Sequence, residues 1–303
     1  MTRVGVVGAG TMGQHHARVY AEMGAELVGI ADPDLARAEV VAGKYGIGCE
    51  ADYRQLIGRV DAVSIAVPTS LHREIAVDFM RNGVHCLVEK PIAPTIDQAE
   101  EMVSEAGKSG VKLMVGHIER FNPVVARLKE FIDRGVLGEL MIISTRRVGP
   151  FVSRIRDVGI IIDTATHDID IARYLVGKEP IGVFSKAGKF RHQKEDHAIV
   201  VLDFGSTTAC IEVNWFTPHK VRSLVATGSE GIAYLDYIEQ EVTVHNHSKD
   251  ARTVKMEKME PLRLELEHFL GCIQYNTEPL VNGWEAVSTL DIALRAERVV
   301  AHV

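Results

Sequence analysis

Val4-Gly5-Val6-Val7-Gly8-Ala9-Gly10-Thr11-Met12-Gly13 opens the chain, and its reading decides the fold. A short apolar run ends at a glycine, and a helical pattern over residues 12–23 follows at once. Gly8 permits a tight turn, Gly10 lets the backbone approach a pyrophosphate, and Gly13 lets helix and strand pack closely. The helix start, with Thr11 and Met12 in its first turn, offers unpaired N–H groups to phosphate oxygens. A glycine pattern alone is weak, because a purely structural turn uses the same letters. Here it is joined by Asp32, 19 residues past Gly13 at the end of a second strand pattern. That is the spacing of an acid that binds a ribose 2′-hydroxyl. A carboxylate there repels a 2′-phosphate, which favours NAD over NADP. Asp32 also precedes Pro33, so capping of the next helix is a second reading.

Further along, apolar runs at 60–67, 85–88 and 112–115 alternate with helical patterns at 71–82 and 95–109. The last helix opens with Thr95-Ile96-Asp97-Gln98 as a capping box, and Gly83 stands at the stop of the one before. Such alternation predicts a parallel, doubly wound sheet with right-handed crossovers. After Asn122-Pro123 the pattern changes. Helices are expected near 124–134 and 162–175, a strand near 140–146, and successive strands from 181 to 245, with helices near 263–274 and 285–300 closing the chain. The expected architecture is therefore α/β: a Rossmann domain over 1–119, then an α+β domain over 120–303 with an open, mostly antiparallel sheet. Such a sheet has edges and a second face to cover, which points to self-association.

Composition narrows the function classes. At 303 residues two domains are natural. A formal net charge of −7 argues against a general binder of nucleic acid or membrane surface. Cys49, Cys86, Cys210 and Cys272 have no paired spacing, so neither a disulfide framework nor a zinc site is expected. With no leader-like segment and no apolar run near the roughly 20 residues of a membrane span, a cytoplasmic enzyme is expected.

Candidate chemistry gathers at the strand ends. Glu89-Lys90-Pro91 follows the run at 85–88, on the edge where such sheets hold their ligands. Pro68-Thr69-Ser70-Leu71-His72 follows the preceding strand, either in contact with cofactor or simply starting a helix. Asp163 and His167 lie four apart and share a helical face, either as a surface pair or as catalytic groups. A histidine can take a hydroxyl proton near neutral pH. Lys90 can polarise the same oxygen, and Asp163 can orient the groups. Asp163, His167, Asp168 and Asp170 could be read as metal ligands, but a nicotinamide mechanism needs none and no metal is expected. His15-His16 reads as helix surface.

These residues, together with Gly116-His117-Ile118-Glu119-Arg120-Phe121-Asn122-Pro123 and Glu195-Asp196 before a strand, resemble the glucose–fructose oxidoreductase, inositol dehydrogenase and MocA family along essentially the whole chain. The resemblance implies that Lys90 and His167 are the catalytic lysine and histidine and Asp163 the acid between them. It implies that Pro68, Thr69, His72 and Glu89 line the nicotinamide side. It also implies a second domain used to form dimers or tetramers. Two departures stand out: the lead into the catalytic helix is reduced to Val158-Gly159-Ile160-Ile161-Ile162, and His117 stands where many members carry another polar residue.

For the substrate, Arg146, Arg147, Arg154 and Arg156 concentrate guanidinium groups before the catalytic helix, and Arg120 adds one at the domain junction. Arginine forks suit phosphates and carboxylates; a solvated loop or subunit contact is the plainer reading. Arg120, Arg154 and Arg156 are the expected substrate contacts. Asn214-Trp215-Phe216-Thr217-Pro218 with Lys220, Arg222 and Thr227-Gly228 resembles the branch acting on nucleotide sugars, especially UDP-N-acetylglucosamine 3-dehydrogenases. Three readings compete: a UDP-sugar dehydrogenase, a dehydrogenase of inositol or a free sugar, and a non-catalytic dinucleotide-binding regulator.

Overall fold

The computed structural model describes residues 2–151, 158–246 and 251–300. Contacts divide the chain into two units: Met1–Ile118 with Glu260–Leu290, and Glu119–Met259 with Asp291–Val303.

The first unit realises the alternation seen in the sequence. Strands β1 (Arg3–Val7), β2 (Glu26–Ala31), β3 (Gly48–Glu50), β4 (Ala62–Ile65), β5 (His85–Glu89) and β6 (Leu113–Gly116) form one parallel sheet. Its order is β3-β2-β1-β4-β5-β6, so the direction of winding reverses between β1 and β4, where a doubly wound sheet opens its ligand crevice. Helices α1 (Thr11–Glu22), α2 (Leu35–Tyr45), α3 (His72–Arg81) and α4 (Ile96–Ser109) connect the strands. Both faces of the sheet are covered, which is why its central strands are continuous apolar runs rather than alternating ones. Thr95 caps α4 by accepting from the Gln98 N–H, as the capping box predicts. The next helix after β2 is capped by Asp34, not Asp32: its carboxylate accepts from the Arg37 N–H.

In the second unit α5 (Pro123–Asp133) precedes β7 (Leu140–Pro150), and a π-helical turn over Ile161–Ala165 runs into α6 (Thr166–Val176). Strands β8 (Gly182–Gly188), β9 (His197–Asp203), β10 (Thr208–Asn214), β11 (Phe216–Gly228), β12 (Gly231–Asp236), β13 (Glu241–Asn246) and β14 (Ala251–Lys255) complete an eight-stranded sheet of order β14-β13-β12-β11-β7-β10-β9-β8. Every neighbouring pair is antiparallel except β7 with β10. The inner face carries Ile143, Val200, Leu202, Ile211, Leu224 and Leu235 in one core with Leu128, Ile169 and Leu175 of α5 and α6.

The single cut expected at residue 119 needs correction, because α7 (Pro261–Gln274) and the start of α8 (Gly283–Val300) belong with the first unit. Helix α7 packs on α1, Arg18 pairs with Glu260, and the Val115 N–H donates to the Val281 carbonyl at 3.0 Å. Among the described residues no helix is long and apolar enough to cross a membrane.

Candidate functional site

The glycine loop is built as its letters require. Gly8 sits at φ +98°, and a side chain there would collide with the Ala66 carbonyl. A Cβ on Gly13 would collide with the Gly8 carbonyl, so strand and helix approach closely only without one. Thr11 and Met12 open α1, whose first turn has no side-chain cap and no acidic residue. Its N–H groups therefore meet no competing carboxylate from their own turn. Asp32 is buried; one oxygen accepts from the Ala9 N–H at 2.7 Å and the other from the Asp34 N–H at 2.8 Å. It thus pins the loop from the end of β2. This is a site that fits a dinucleotide.

The end of β5 is equally ordered. The Lys90–Pro91 peptide is cis, and Lys90 is half-buried. Glu89 meets His16 through Oε1 and Nε2 at 2.9 Å. Burial alone would raise the Glu89 carboxyl, but the His16 contact, with the charges of Lys90 and His72, holds it below the usual carboxylate range. Glu89 lies so near Gly116 that a Cβ there would stand 3.3 Å from its carboxylate. His72 is buried, and its ring nitrogens meet the carbonyls of Val67 and Pro91 at 3.0 Å. Burial lowers its proton affinity, those carbonyls offsetting it in part. His72 thus ties the end of β4 to the Lys90 segment. Pro68 is exposed, Thr69 half-buried in a short 3-10 turn, and His117 buried just past β6. The expectation for His16 needs correction: it is fully buried on the inner side of α1, not helix surface. Only its separation from Glu89 hid that role in the sequence.

In the second unit Asp163 lies on the π-helical turn and His167 in the first turn of α6, both half-buried. The Asp163 carboxylate accepts from the Thr164 hydroxyl at 3.0 Å. Glu195 anchors the start of this helix: its carbonyl accepts from the Ile160 N–H at 3.0 Å, and its carboxylate fills the space a Cβ on Gly159 would take. The shortened lead at 158–162 therefore keeps the one glycine the packing demands. Asp196, buried, accepts from the N–H groups of Phe190, Arg191 and His192 and fixes the turn before β9.

The arginines divide. Arg120 is buried and forks onto Asp170 at 2.8 and 2.7 Å, with its plane 5.1 Å from the Tyr174 ring. It is an internal ion-pair donor, not the substrate contact expected of it. Arg147 donates to Asp168 at 2.8 and 3.3 Å and to Glu119 at 2.7 Å. Burial opposes its charge, but Asp168 and Glu119 hold it firmly protonated. Arg146 points to the other side of the sheet and pairs with Glu212. Arg154 and Arg156 lie outside the described residues. Asp168 and Asp170 are thus committed to arginines, and among the described residues no group of three or more His, Cys, Asp and Glu could hold a metal ion.

Comparison with known proteins agrees with this geometry. Residues 2–117 match the model of an oxidoreductase family with an NAD-binding Rossmann fold, and residues 125–234 match the GFO/IDH/MocA C-terminal domain. The scyllo-inositol 2-dehydrogenase (NAD(+)) of Bacillus subtilis is 32% identical over 97% of this chain and 92% of its own. The chain belongs to the GFO/IDH/MocA family. It is an oxidoreductase with NAD as cofactor, and the regulator reading is set aside. Another family member, the UDP-N-acetylglucosamine 3-dehydrogenase of Acidithiobacillus ferrooxidans, is 28% identical over 97% of this chain and 95% of its own. A solved structure of that enzyme superposes with a TM-score of 0.93 at 27% identity, covering 99% of this chain and 98% of that one.

Proposed function

We propose that this protein oxidises a sugar hydroxyl to a ketone, most specifically the 3-hydroxyl of a UDP-sugar such as UDP-N-acetylglucosamine. The observation that carries the reading is the match to the UDP-N-acetylglucosamine 3-dehydrogenase over nearly the full length of both chains. When bound, NAD supplies the hydride acceptor. Gly8, Gly10, Thr11, Met12 and Gly13 receive its pyrophosphate, Asp32 its ribose, and Pro68, Thr69, His72, Glu89 and His117 line the nicotinamide side. Lys90 donates a hydrogen bond to the reacting oxygen, and the ionised Glu89, fixed by His16, keeps a negative charge beside that ammonium. His167 accepts the hydroxyl proton, and Asp163 orients the substrate and the imidazole. A positioned base of this kind is worth about 10²–10⁴-fold in rate.

A neutral polyol such as inositol is the second reading, favoured by the higher identity to the scyllo-inositol dehydrogenase. NADH formation across UDP-N-acetylglucosamine, other UDP-sugars, myo-inositol and scyllo-inositol separates them. Turnover of the nucleotide sugar at a kcat/KM at least about tenfold above any polyol is expected; turnover of free polyols alone contradicts the reading. We further propose a homodimer or homotetramer assembled through the outward face of the eight-stranded sheet. That face leaves Ile142, Phe184, Ile199 and Tyr234 exposed on four strands.

A further inference from the structure

Arg147 and Arg222 stand directly opposite each other on β7 and β11, two like charges in register on the helix-covered side of the sheet. Like charges so placed repel, and each needs an answer. Arg147 has its answer in Asp168 and Glu119. Arg222 has a looser one: it pairs with the same Glu119 at 3.7 Å, and its side chain makes no hydrogen bond among the described residues. A guanidinium carries five N–H donors in a rigid fork, and those that Glu119 does not take are open to water or to a ligand. The Arg222 side chain is 42% exposed, so the fork is reachable. Burial and the neighbouring Arg147 both weaken its hold on its proton, whereas the nearby carboxylates of Glu119, Asp168 and Asp163 strengthen it. Arg147, directly opposite, is bonded to Asp168, the neighbour of His167 in the first turn of α6, so Arg222 stands across from the strand position tied to that turn. Lys220, exposed two residues earlier on the same strand, adds a second cation.

From this juxtaposition we propose that Arg222 is the specificity contact for an anionic group of the substrate, a phosphate or a carboxylate. Planar bidentate, charge-assisted pairing with such a group replaces water at the donors that Glu119 does not take. A neutral polyol offers only hydroxyls, which complement the fork less well. The inference rests on the dehydrogenase reading but not on which anionic substrate is used.

The test is steady-state kinetics of the NAD-loaded wild type, Arg222→Gln and Arg222→Lys with UDP-N-acetylglucosamine, with glucuronate and with myo-inositol. For the anionic substrate that the wild type turns over, Arg222→Gln is expected to raise KM by about 10²-fold with kcat changed less than about threefold, as truncating a charge-assisted pair does. Arg222→Lys should recover roughly a tenth of that loss or more. KM for myo-inositol and the affinity for NADH, read by its fluorescence, should stay unchanged. Dependence seen with glucuronate but not the UDP-sugar would uphold the Arg222 assignment while ending the UDP-sugar reading. UDP-sugar turnover with an unaltered KM, or equal losses with anionic and neutral substrates, would overturn the Arg222 assignment, as would a wild type that uses only neutral polyols. Should Arg222→Gln not fold, Arg222→Lys decides by the same split between anionic and neutral KM.

Discussion

Glu89 and Glu265 are carboxyls enclosed in the same unit and driven to opposite states. Glu89 has His16 at 2.9 Å and stays ionised. Glu265, fully buried on α7, has neither oxygen hydrogen-bonded among the described residues. Burial first, and the negative Glu89 second, push its proton affinity well above the ordinary 4.5. The unfolded chain therefore releases this proton at lower pH than the folded protein does. Stability is lost as pH rises from about 4.5 toward the raised folded value, at up to about 1.4 kcal/mol per pH unit. Glu265→Gln has no proton to lose there, so urea unfolding should show the variant gaining on the wild type between pH 5 and pH 8. Parallel stability profiles across that range would show Glu265 to be solvated. At this scale the sequence was legible where a residue's position carries its chemistry. Lys90 stands at a strand end and Asp32 at a fixed spacing from Gly13. It was silent where the partner is remote: His16 finds Glu89 73 residues on, and Arg120 finds Asp170 50 residues on. No local pattern encodes such pairs, which is why Arg120 looked available to substrate.

Among the elements, those with strong periodicity were readable, because burial on both faces or one face leaves a direct imprint on residue order. Strands β1, β4 and β5 and helix α4 stand close to where that imprint puts them. The three-residue β3 is too short to leave one. The π-helical turn bearing Asp163 was hidden because its residues are those of an ordinary apolar helix; packing against Glu195 shapes its entry. Strand alternation in the second unit does separate the two sides of the sheet. Val200 and Leu202 are buried, whereas Ile199 between β-neighbours faces outward with Phe184 of the adjoining strand. If that outward face is the assembly surface, Phe184→Lys with Ile199→Lys should shift the light-scattering mass of the purified protein to that of one chain. The doubly substituted protein should keep its NADH affinity. A wild type already of monomer mass, or an unchanged oligomer in the variant, would rule the face out.

At the level of the molecule, the order of motifs along the chain pointed to two units and to the family, and the family match bears this out. What it missed is the return of Glu260–Leu290 to the first unit, because a helix's tertiary partner is not written in its own period. The two opposed arginines of the second unit also differ in a way their own sequence does not show: Arg147 is turned inward to Asp168 and Glu119, whereas Arg222 has Glu119 at 3.7 Å. The catalytic proposal assigns Lys90 and His167 to a single alcohol. Groups that act as one device are non-additive when removed together. The most direct measurement is therefore single-turnover NADH formation by Lys90→Ala, His167→Ala and the double variant, each with NAD binding checked by titration. Each single change should slow the step by on the order of 10²-fold or more, and the double variant should be scarcely slower than the worse single. Unchanged turnover in either single variant, or losses that simply multiply in the double, would contradict a shared hydroxyl.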